Sequence, residues 1–248
     1  MLALTGGAPK EMIRVGGVPA VEWVARECAA SGVDELLVVI APGKEAIVEH
    51  LEPLAGRDGL PRRIAFVVQP EARGLADAIR MGRDFADGEA LGVALPDNLF
   101  VGDAPGLAQV IESWARTGQN VVAVVEIMAG DAERRGPTSV FPGRVEGDEF
   151  HIATIPSKGE RGARFDTGGA PSAFTGVGRY VFEPDALTIV DEVEATLPHG
   201  AELDDVPVMQ LLLARHRLVG RRILGRFLDL GLPDGYHEAD RWLASRDR

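Results

Sequence analysis

Cysteine and cationic side chains are scarce in this sequence, and a long apolar run is missing altogether. The one cysteine, Cys28, excludes an internal disulfide framework and a cysteine-rich metal site, and its helical setting predicts a buried, inert thiol. The 26 lysines and arginines are outnumbered by 38 acidic residues, so the net charge of −12 argues against a nucleic-acid partner. No run of about 18 or more apolar residues and no secretory signal occurs, so we expect no membrane span and a cytoplasmic protein.

The apolar residues that are present predict a layered α/β fold. Of the 248 residues, 46% are hydrophobic and 26% charged, which is typical of a globular protein with one sizeable core. Short continuous apolar runs at 36–40, 64–68 and 91–95 alternate with stretches of helical periodicity. This alternation predicts a Rossmann-like fold, in which a mixed, mostly parallel sheet is flanked by helices. We expect a single domain over residues 1–248.

The pattern changes between residues 130 and 175. Turn-forming dipeptides separate short apolar pieces there, which predicts hairpins laid on the sheet. The stretch from Ser157 to Ala173 is crowded with Gly, Arg, Lys, Asp and Ser and has no periodicity. We therefore expect a surface loop that orders over a ligand.

Polar residues that directly follow apolar runs are the first candidates for a binding site, because ligands of open α/β sheets bind beyond the carboxyl ends of the strands. Gln69 follows the run 64–68, and its amide could offer one donor and one acceptor to a flat heterocycle. Gly74 would allow that heterocycle to approach the backbone closely. An ordinary strand-to-helix turn with a solvated glutamine explains the same residues.

Two acids and one lysine suggest a site for phosphate and metal. Asp97 and Asp229 each follow an apolar run, and carboxylates in such places suit Mg²⁺. Asp97 could equally be a turn residue that bonds its own backbone, and sequence alone does not show that the two acids meet. Lys10 precedes the first predicted helix and could neutralise a phosphate, although a solvated lysine is the simpler interpretation.

The remaining polar residues carry weaker signals. The five histidines show no metal-ligand spacing. The arginine-rich segment 215–226 is locally basic within an acidic chain, and we interpret it as a solvated face or a subunit contact. We expect the protein to be a homo-oligomer.

Five segments, taken in order, resemble the sugar-1-phosphate nucleotidyltransferases over nearly the whole chain. They are Pro9–Met12 followed by Gly17–Pro19, Gln69 with Gly74–Leu75, Leu95–Asn98, Val177–Val181 and Leu228–Gly231. The likeness is greatest to the branches that combine glucose 1-phosphate with UTP, or with dTTP. It implies transfer of a nucleotidyl group from a nucleoside triphosphate to a sugar 1-phosphate, with release of pyrophosphate.

The resemblance implies roles for particular residues. It implies that Gln69 and Gly74 bind the base, and that the segment containing Gly178 binds the sugar. It assigns Mg²⁺ to Asp97 and Asp229.

The resemblance also implies which residues act on phosphate. Lys10 is expected to contact a reacting phosphate, and Asp97 to act beside it through the metal. Lys158 is the candidate for the family's sugar-phosphate lysine, although Ser157 then stands where the family has a glutamate. Lys10, Asp97 and Lys158 are thus the predicted catalytic residues.

The sequence departs from the family pattern at its start. The family opens with a strand and a G-x-G-T-R-x-x-P-x-T-K loop, whose backbone amides and arginine cradle the triphosphate. Counted back without gaps from Pro9–Met12, Thr5 meets the loop's threonine and Gly6 its lysine, so G-x-G-T-R would precede Met1. The alternatives to an active enzyme are a non-catalytic relative that binds a sugar nucleotide or regulates a partner, and a start codon assigned too late.

Overall fold

The computed structural model describes residues 9–134, 139–157, 165–198, 200–231 and 233–244. Its strands are β1 (Arg14–Val15), β2 (Val18–Pro19), β3 (Glu35–Ile40), β4 (Arg63–Val68), β5 (Leu91–Ala94), β6 (Asn98–Val101), β7 (Asn120–Met128), β8 (Gly143–Glu146), β9 (Glu149–Ile152), β10 (Ser172–Phe182), β11 (Leu218–Arg222) and β12 (Arg226–Asp229). Its α-helices are α1 (Ala20–Ala30), α2 (Glu45–Leu51), α3 (Leu75–Arg80), α4 (Arg83–Ala86), α5 (Gly106–Thr117), α6 (Pro184–Thr196), α7 (Asp205–Ala214) and α8 (Pro233–Ala244). Short 3₁₀ helices span Lys10–Met12, Glu52–Leu54 and Ala129–Arg134. None of the helices in these ranges is long and apolar enough to cross a membrane.

Six strands form the largest sheet, in the order β5-β10-β7-β11-β9-β8. Strand β11 runs parallel to β7, and the other neighbours in this sheet are antiparallel. Strands β3 and β4 form a separate parallel pair, while β6 and β12 form an antiparallel one. Within the described ranges, β3 pairs only with β4 and β5 only with β10.

The predicted α/β class, with a mixed sheet flanked by helices, is confirmed, but the strand directions differ from those predicted. The largest sheet is mostly antiparallel rather than mostly parallel, since the long strand β10 enters between β5 and β7 and runs opposite to both. A continuous apolar run shows that a strand is covered on both faces. It does not encode the direction of the neighbouring strand, which is set by distant residues.

The central strand β7 shows how the layers are built. Successive side chains of a strand point to opposite faces of the sheet. Val122 and Val124 accordingly join a core cluster with residues of α6 and α7, whereas Val121 and Ala123 join a cluster that contains Val110 of α5. All of these side chains are fully buried. The sheet is therefore covered by helices on both faces.

The hairpin predicted after residue 130 exists, but it lies in the plane of the sheet and not on its face. It consists of β8 and β9, and β9 pairs with β11 at the edge of the sheet. Gly220 of β11 allows this pairing, because a Cβ there would lie 2.7 Å from the Phe150 carbonyl oxygen. Residues 158–164 of the predicted ligand-covering loop, Lys158 included, lie outside the described residues.

Helix α1 buries the single cysteine as predicted. Cys28 is 3% exposed and packs in a core cluster with Val24 and Leu107. Burial raises the pKa of its thiol to about 12, so the thiolate is not formed at neutral pH.

Candidate active site

The carboxyl ends of three strands meet around the short 3₁₀ helix that opens the described chain. Lys10 Nζ lies 2.9 Å from Asp97 Oδ2, just beyond β5. The neighbouring Glu11 accepts a hydrogen bond of 2.8 Å from Lys44 Nζ, beyond β3. The backbone N–H of Gln69, at the end of β4, donates to the last carbonyl of β3 at 2.8 Å. Polar residues therefore gather at one edge, where ligands of open α/β sheets bind.

Asp97 and Asp229 are brought to neighbouring backbone positions. Asp229 ends β12 and stands opposite Asn98 in the antiparallel pairing of β12 with β6. The backbone N–H of Leu230 donates to the carbonyl oxygen of Asp97 at 2.8 Å. Two acids that are distant in the sequence thus adjoin in the structure.

Both carboxylate oxygens of Asp97 accept hydrogen bonds that orient the side chain. Asn98 Nδ2 donates to Oδ1 at 3.0 Å, and Lys10 Nζ donates to Oδ2. Partial burial lowers the pKa of Lys10, but attraction to Asp97, the hydrogen bond between them and the nearby charges of Glu11 and Asp229 raise this pKa overall. Lys10 therefore remains cationic and offsets the negative charge of the two acids.

The donors present fit a hard divalent cation. In the described part of the chain, no three His, Cys, Asp and Glu side chains form a metal cluster. Two neighbouring carboxylates, those of Asp97 and Asp229, would suit Mg²⁺, because this ion often takes one or two carboxylates and completes its shell with water and phosphate oxygens. Asp229 also accepts a hydrogen bond of 2.8 Å from the backbone N–H of Gly231, which orients its carboxylate.

Gly178 packs against the turn that carries Asp97. Its N–H donates to Asn98 Oδ1 at 2.8 Å, and its carbonyl accepts from the Leu95 N–H at 2.9 Å. A Cβ at Gly178 would lie 2.5 Å from the Leu95 Cβ, so the close contact requires glycine. The predicted sugar contact of Gly178 stays a prediction beside this packing role.

Gln69 and Gly74 lie together at the end of β4. Gln69 Nε2 donates to Asp77 Oδ2 at 2.8 Å and to the Gly74 carbonyl at 3.3 Å, so the amide has a fixed orientation. Gly74 has a φ of +110°, and a Cβ there would lie 2.4 Å from the Leu203 carbonyl oxygen. Glycine is therefore required by the protein's own backbone, and the predicted base contacts stay predictions.

Partly exposed ion pairs hold the loop that follows β4 to helix α6. Glu194 of α6 accepts hydrogen bonds from Arg73 and Arg80, and Arg80 also donates to Asp77 at 2.6 Å. Hydrogen bonds from Arg80 and then Arg73 lower the pKa of Glu194. An open cleft of about 320 Å³ lies beside the loop, lined by Pro70, Glu71, Arg73, Asp77, Arg80 and Met81.

The sequence pattern did not single out three side chains that support Asp97. These are Asn98, which donates to the Asp97 carboxylate, and the buried pair of Arg179 with Glu27 beneath the turn. The signal available for Arg179 was its position inside the apolar strand segment that became β10, where a charge requires a buried partner. Glu27 could not be identified as that partner, because the two residues are far apart in the sequence.

The protein has an α/β fold in which two acids and a lysine lie together at strand ends. Side chains of these types are suited to binding phosphate and metal. The sequence profile of the nucleotidyl transferase family matches residues 1–246, and the chain belongs to this family. The resemblance predicted from the five segments is confirmed, and the chain is of the nucleotidyltransferase class of enzymes.

Relatives and solved structures agree with this assignment. A Bacillus subtilis protein provisionally named a UTP–glucose-1-phosphate uridylyltransferase is 31% identical, over 95% of this chain and 89% of that protein. A UTP–glucose-1-phosphate uridylyltransferase of Staphylococcus epidermidis is 26% identical, over 82% of this chain and 74% of that protein. A UDP-glucose pyrophosphorylase solved with UDP-glucose shares the fold, with a TM-score of 0.79 at 22% identity, over 97% of this chain and 91% of that one.

Proposed function

We propose that this chain transfers the uridylyl group of UTP to glucose 1-phosphate and so forms UDP-glucose and pyrophosphate. The observation that carries the proposal is the joint placement of Lys10, Asp97 and Asp229 at one edge of the fold. The choice of UTP and glucose 1-phosphate is supported by the relatives, which are named as uridylyltransferases for this sugar phosphate.

The proposed reaction makes one bond and breaks one bond. A phosphate oxygen of glucose 1-phosphate attacks the α-phosphorus of UTP in line. The bond from that phosphorus to the bridging oxygen of the β-phosphate breaks, and pyrophosphate leaves with the electron pair. The attacking oxygen already carries negative charge at neutral pH, since the second pKa of such phosphates is about 6. The protein therefore needs neither a general base nor a nucleophile of its own.

The residues at the site supply positioning and charge. Asp97 and Asp229 would hold Mg²⁺, which neutralises phosphate oxygens and helps keep the reacting groups in line. Asn98 fixes one Asp97 oxygen, so the carboxylate presents a constant geometry. Lys10 places a positive charge beside the same carboxylate and would meet a phosphate oxygen. Such neutralisation is the main contribution that phosphoryl-transfer enzymes make.

The substrate contacts follow the same arrangement. Gln69 and Gly74 would bind the uracil, Gly178 would contact the sugar, and Lys158 would hold the sugar phosphate. The cytoplasmic location, the homo-oligomer and the lack of a nucleic-acid partner remain predictions from the sequence.

Pyrophosphate release tests the proposal. The chain is incubated with Mg²⁺, glucose 1-phosphate and each of UTP, dTTP, ATP, CTP and GTP in turn, with Asp97→Asn as the inactive control. Turnover that is fastest with UTP and lost in the control is the expected result. A folded protein that binds UDP-glucose without turning over any of the five nucleotides would overturn the proposal in favour of the non-catalytic relative.

A further inference from the structure

The guanidinium of Arg179 is fully buried where strands β5, β6 and β10 meet. Its five N–H groups all donate hydrogen bonds. Its Nε and Nη2 donate to the two carboxylate oxygens of Glu27 at 2.9 and 2.6 Å. Its side chain has 0% exposure and that of Glu27 8%. The guanidinium carbon also lies 5.0 Å from the centre of the Phe100 ring. A planar fork in this setting fixes the positions of its acceptors.

Besides the Gly178 carbonyl, Arg179 has two backbone acceptors, and these two flank the acid proposed to hold the metal. Nη1 donates to the carbonyl oxygen of Leu95 at 3.0 Å, and Nη2 donates to that of Asn98 at 2.7 Å. These carbonyls belong to the residues at the two ends of the turn Leu95–Asn98, and Asp97 lies between them. Arg179 thus holds the turn from inside the fold.

Glu27 connects this arrangement to a third element. Its Oε1 also accepts a hydrogen bond of 2.8 Å from the backbone N–H of Leu107, in the first turn of α5. One carboxylate therefore joins helices α1 and α5 to strand β10 through Arg179. A small displacement of either helix would be transmitted to the Asp97 turn.

We propose that Arg179 and Glu27 are a positioning pair, which sets the place of the Asp97 carboxylate relative to Asp229 and so the strength of metal binding. The proposal rests on the proposed function in one respect, that Asp97 holds the metal. Neither residue touches the metal or a substrate. Removal of a group that hydrogen-bonds a metal ligand typically weakens metal binding by about 10- to 100-fold, and we expect the lower end of that range because Arg179 bonds the backbone on either side of Asp97.

Two variants separate positioning from simple loss of folding. Arg179→Lys keeps the charge but cannot reach both carbonyls and both carboxylate oxygens at once. The double variant Glu27→Gln with Arg179→Met leaves no unpaired buried charge, and its glutamine can still accept from Leu107. Arg221→Lys is the matched control, because Arg221 is also a buried arginine of the same sheet and pairs with Glu112 and Asp148, away from the turn.

Two measurements are made on each folded variant. Amide hydrogen exchange is followed at Leu230 and Gly178, whose N–H groups donate to Asp97 and Asn98. Mn²⁺ affinity is measured by EPR, without turnover. We expect faster exchange at both amides and at least about 10-fold weaker Mn²⁺ binding in the two Arg179 variants, with neither effect in Arg221→Lys.

The failures of the two proposals are distinguishable. Wild-type protein that binds no Mn²⁺ overturns the proposed metal site at Asp97 and Asp229, whereas the pyrophosphate assay tests the proposed function separately. Wild-type protein that binds Mn²⁺, with unchanged affinity and exchange in both Arg179 variants, overturns only the positioning role. Equal losses in Arg221→Lys would also overturn it, because the effect would then be general to buried arginines of this sheet.

Discussion

Two loops at the same edge of the fold are held in opposite ways. The turn Leu95–Asn98 is fixed from beneath by the buried pair of Arg179 and Glu27. The loop 69–77 is tied to helix α6 by ion pairs that water reaches, since Glu194 is 32% and Arg73 42% exposed.

We infer from this difference that the two loops differ in rigidity. A buried ion pair is expensive to form, but it holds its neighbours in one geometry when all of its hydrogen bonds are made. Exposed pairs contribute little and exchange partners readily. The loop proposed to carry the metal is therefore rigid, whereas the loop proposed to carry the base can adjust to its ligand.

The largest expected effect is at the turn Leu95–Asn98, the more rigid of the two loops. Asp97→Ala should reduce kcat by about 1,000-fold or more, because the proposed metal would lose one of its two protein ligands. The melting temperature should change little, since the Asp97 side chain is 29% exposed. The control is Asp103→Ala, an exposed acid shortly after the turn, and it should keep full activity. An Asp97→Ala enzyme with normal kcat would remove Asp97 from the site.

A smaller effect is expected at Gly74, where the adjustable loop 69–77 contacts the backbone of Leu203. Gly74→Ala should destabilise the fold by about 2–4 kcal/mol, from the positive φ together with the clash against Leu203. Gly88→Ala shares a positive φ of 83° but meets no atom within 4 Å, so it should cost only about 1 kcal/mol. Denaturant unfolding measures both values. Equal losses in the two variants would show that the contact with Leu203 is unimportant.

A modest effect is expected from loosening the exposed ion pairs. Glu194→Gln should raise the KM for the nucleotide by about 2- to 5-fold and leave kcat nearly unchanged, since surface pairs contribute up to about 1 kcal/mol. Steady-state kinetics with varied nucleotide measures the two constants. A large fall in kcat would contradict the division between the loops.

The pH dependence of stability gives an independent check on Glu194. Its pKa in the folded protein is lowered from 4.5, so its ion pairs stabilise the fold above that pH and are lost as the pH falls through the lowered value. The difference in stability between wild type and Glu194→Gln should therefore disappear in acid. A difference that grows on acidification would reverse the assigned sign.

The smallest effect is expected at Cys28, beside Glu27 on the rigid side. Burial raises the pKa of this thiol to about 12, so a disulfide reagent should label it no faster than the protein unfolds. Labelling is followed at neutral pH, with and without denaturant. Rapid labelling of the native protein would show that the buried side opens easily.

The residues at the strand ends could be predicted because each is marked by local pattern. Gln69, Asp97 and Asp229 directly follow apolar runs, and the structure places Gln69 and Asp97 beyond strands and Asp229 at the end of β12. The contacts that decide their geometry join distant segments, as between Leu230 and Asp97, and leave no trace in local periodicity.

Glycines show the same limit. Gly74 and Gly178 are predicted ligand contacts, and that stays a prediction; the structure shows that both also admit close contacts with the protein's own residues. The mostly parallel sheet was wrong for a related reason, because strand direction depends on which distant segments pair. Family resemblance supplied a prediction that local pattern could not, namely a joint role for the two acids.

The most direct test of the account is a crystal structure of the chain with UTP and Mn²⁺. The anomalous signal of Mn²⁺ would locate the ion. The account predicts one Mn²⁺ bound by both Asp97 and Asp229, at distances close to the roughly 2.0–2.1 Å typical of Mg²⁺. A metal ion bound elsewhere, or by only one of the two acids, would contradict it.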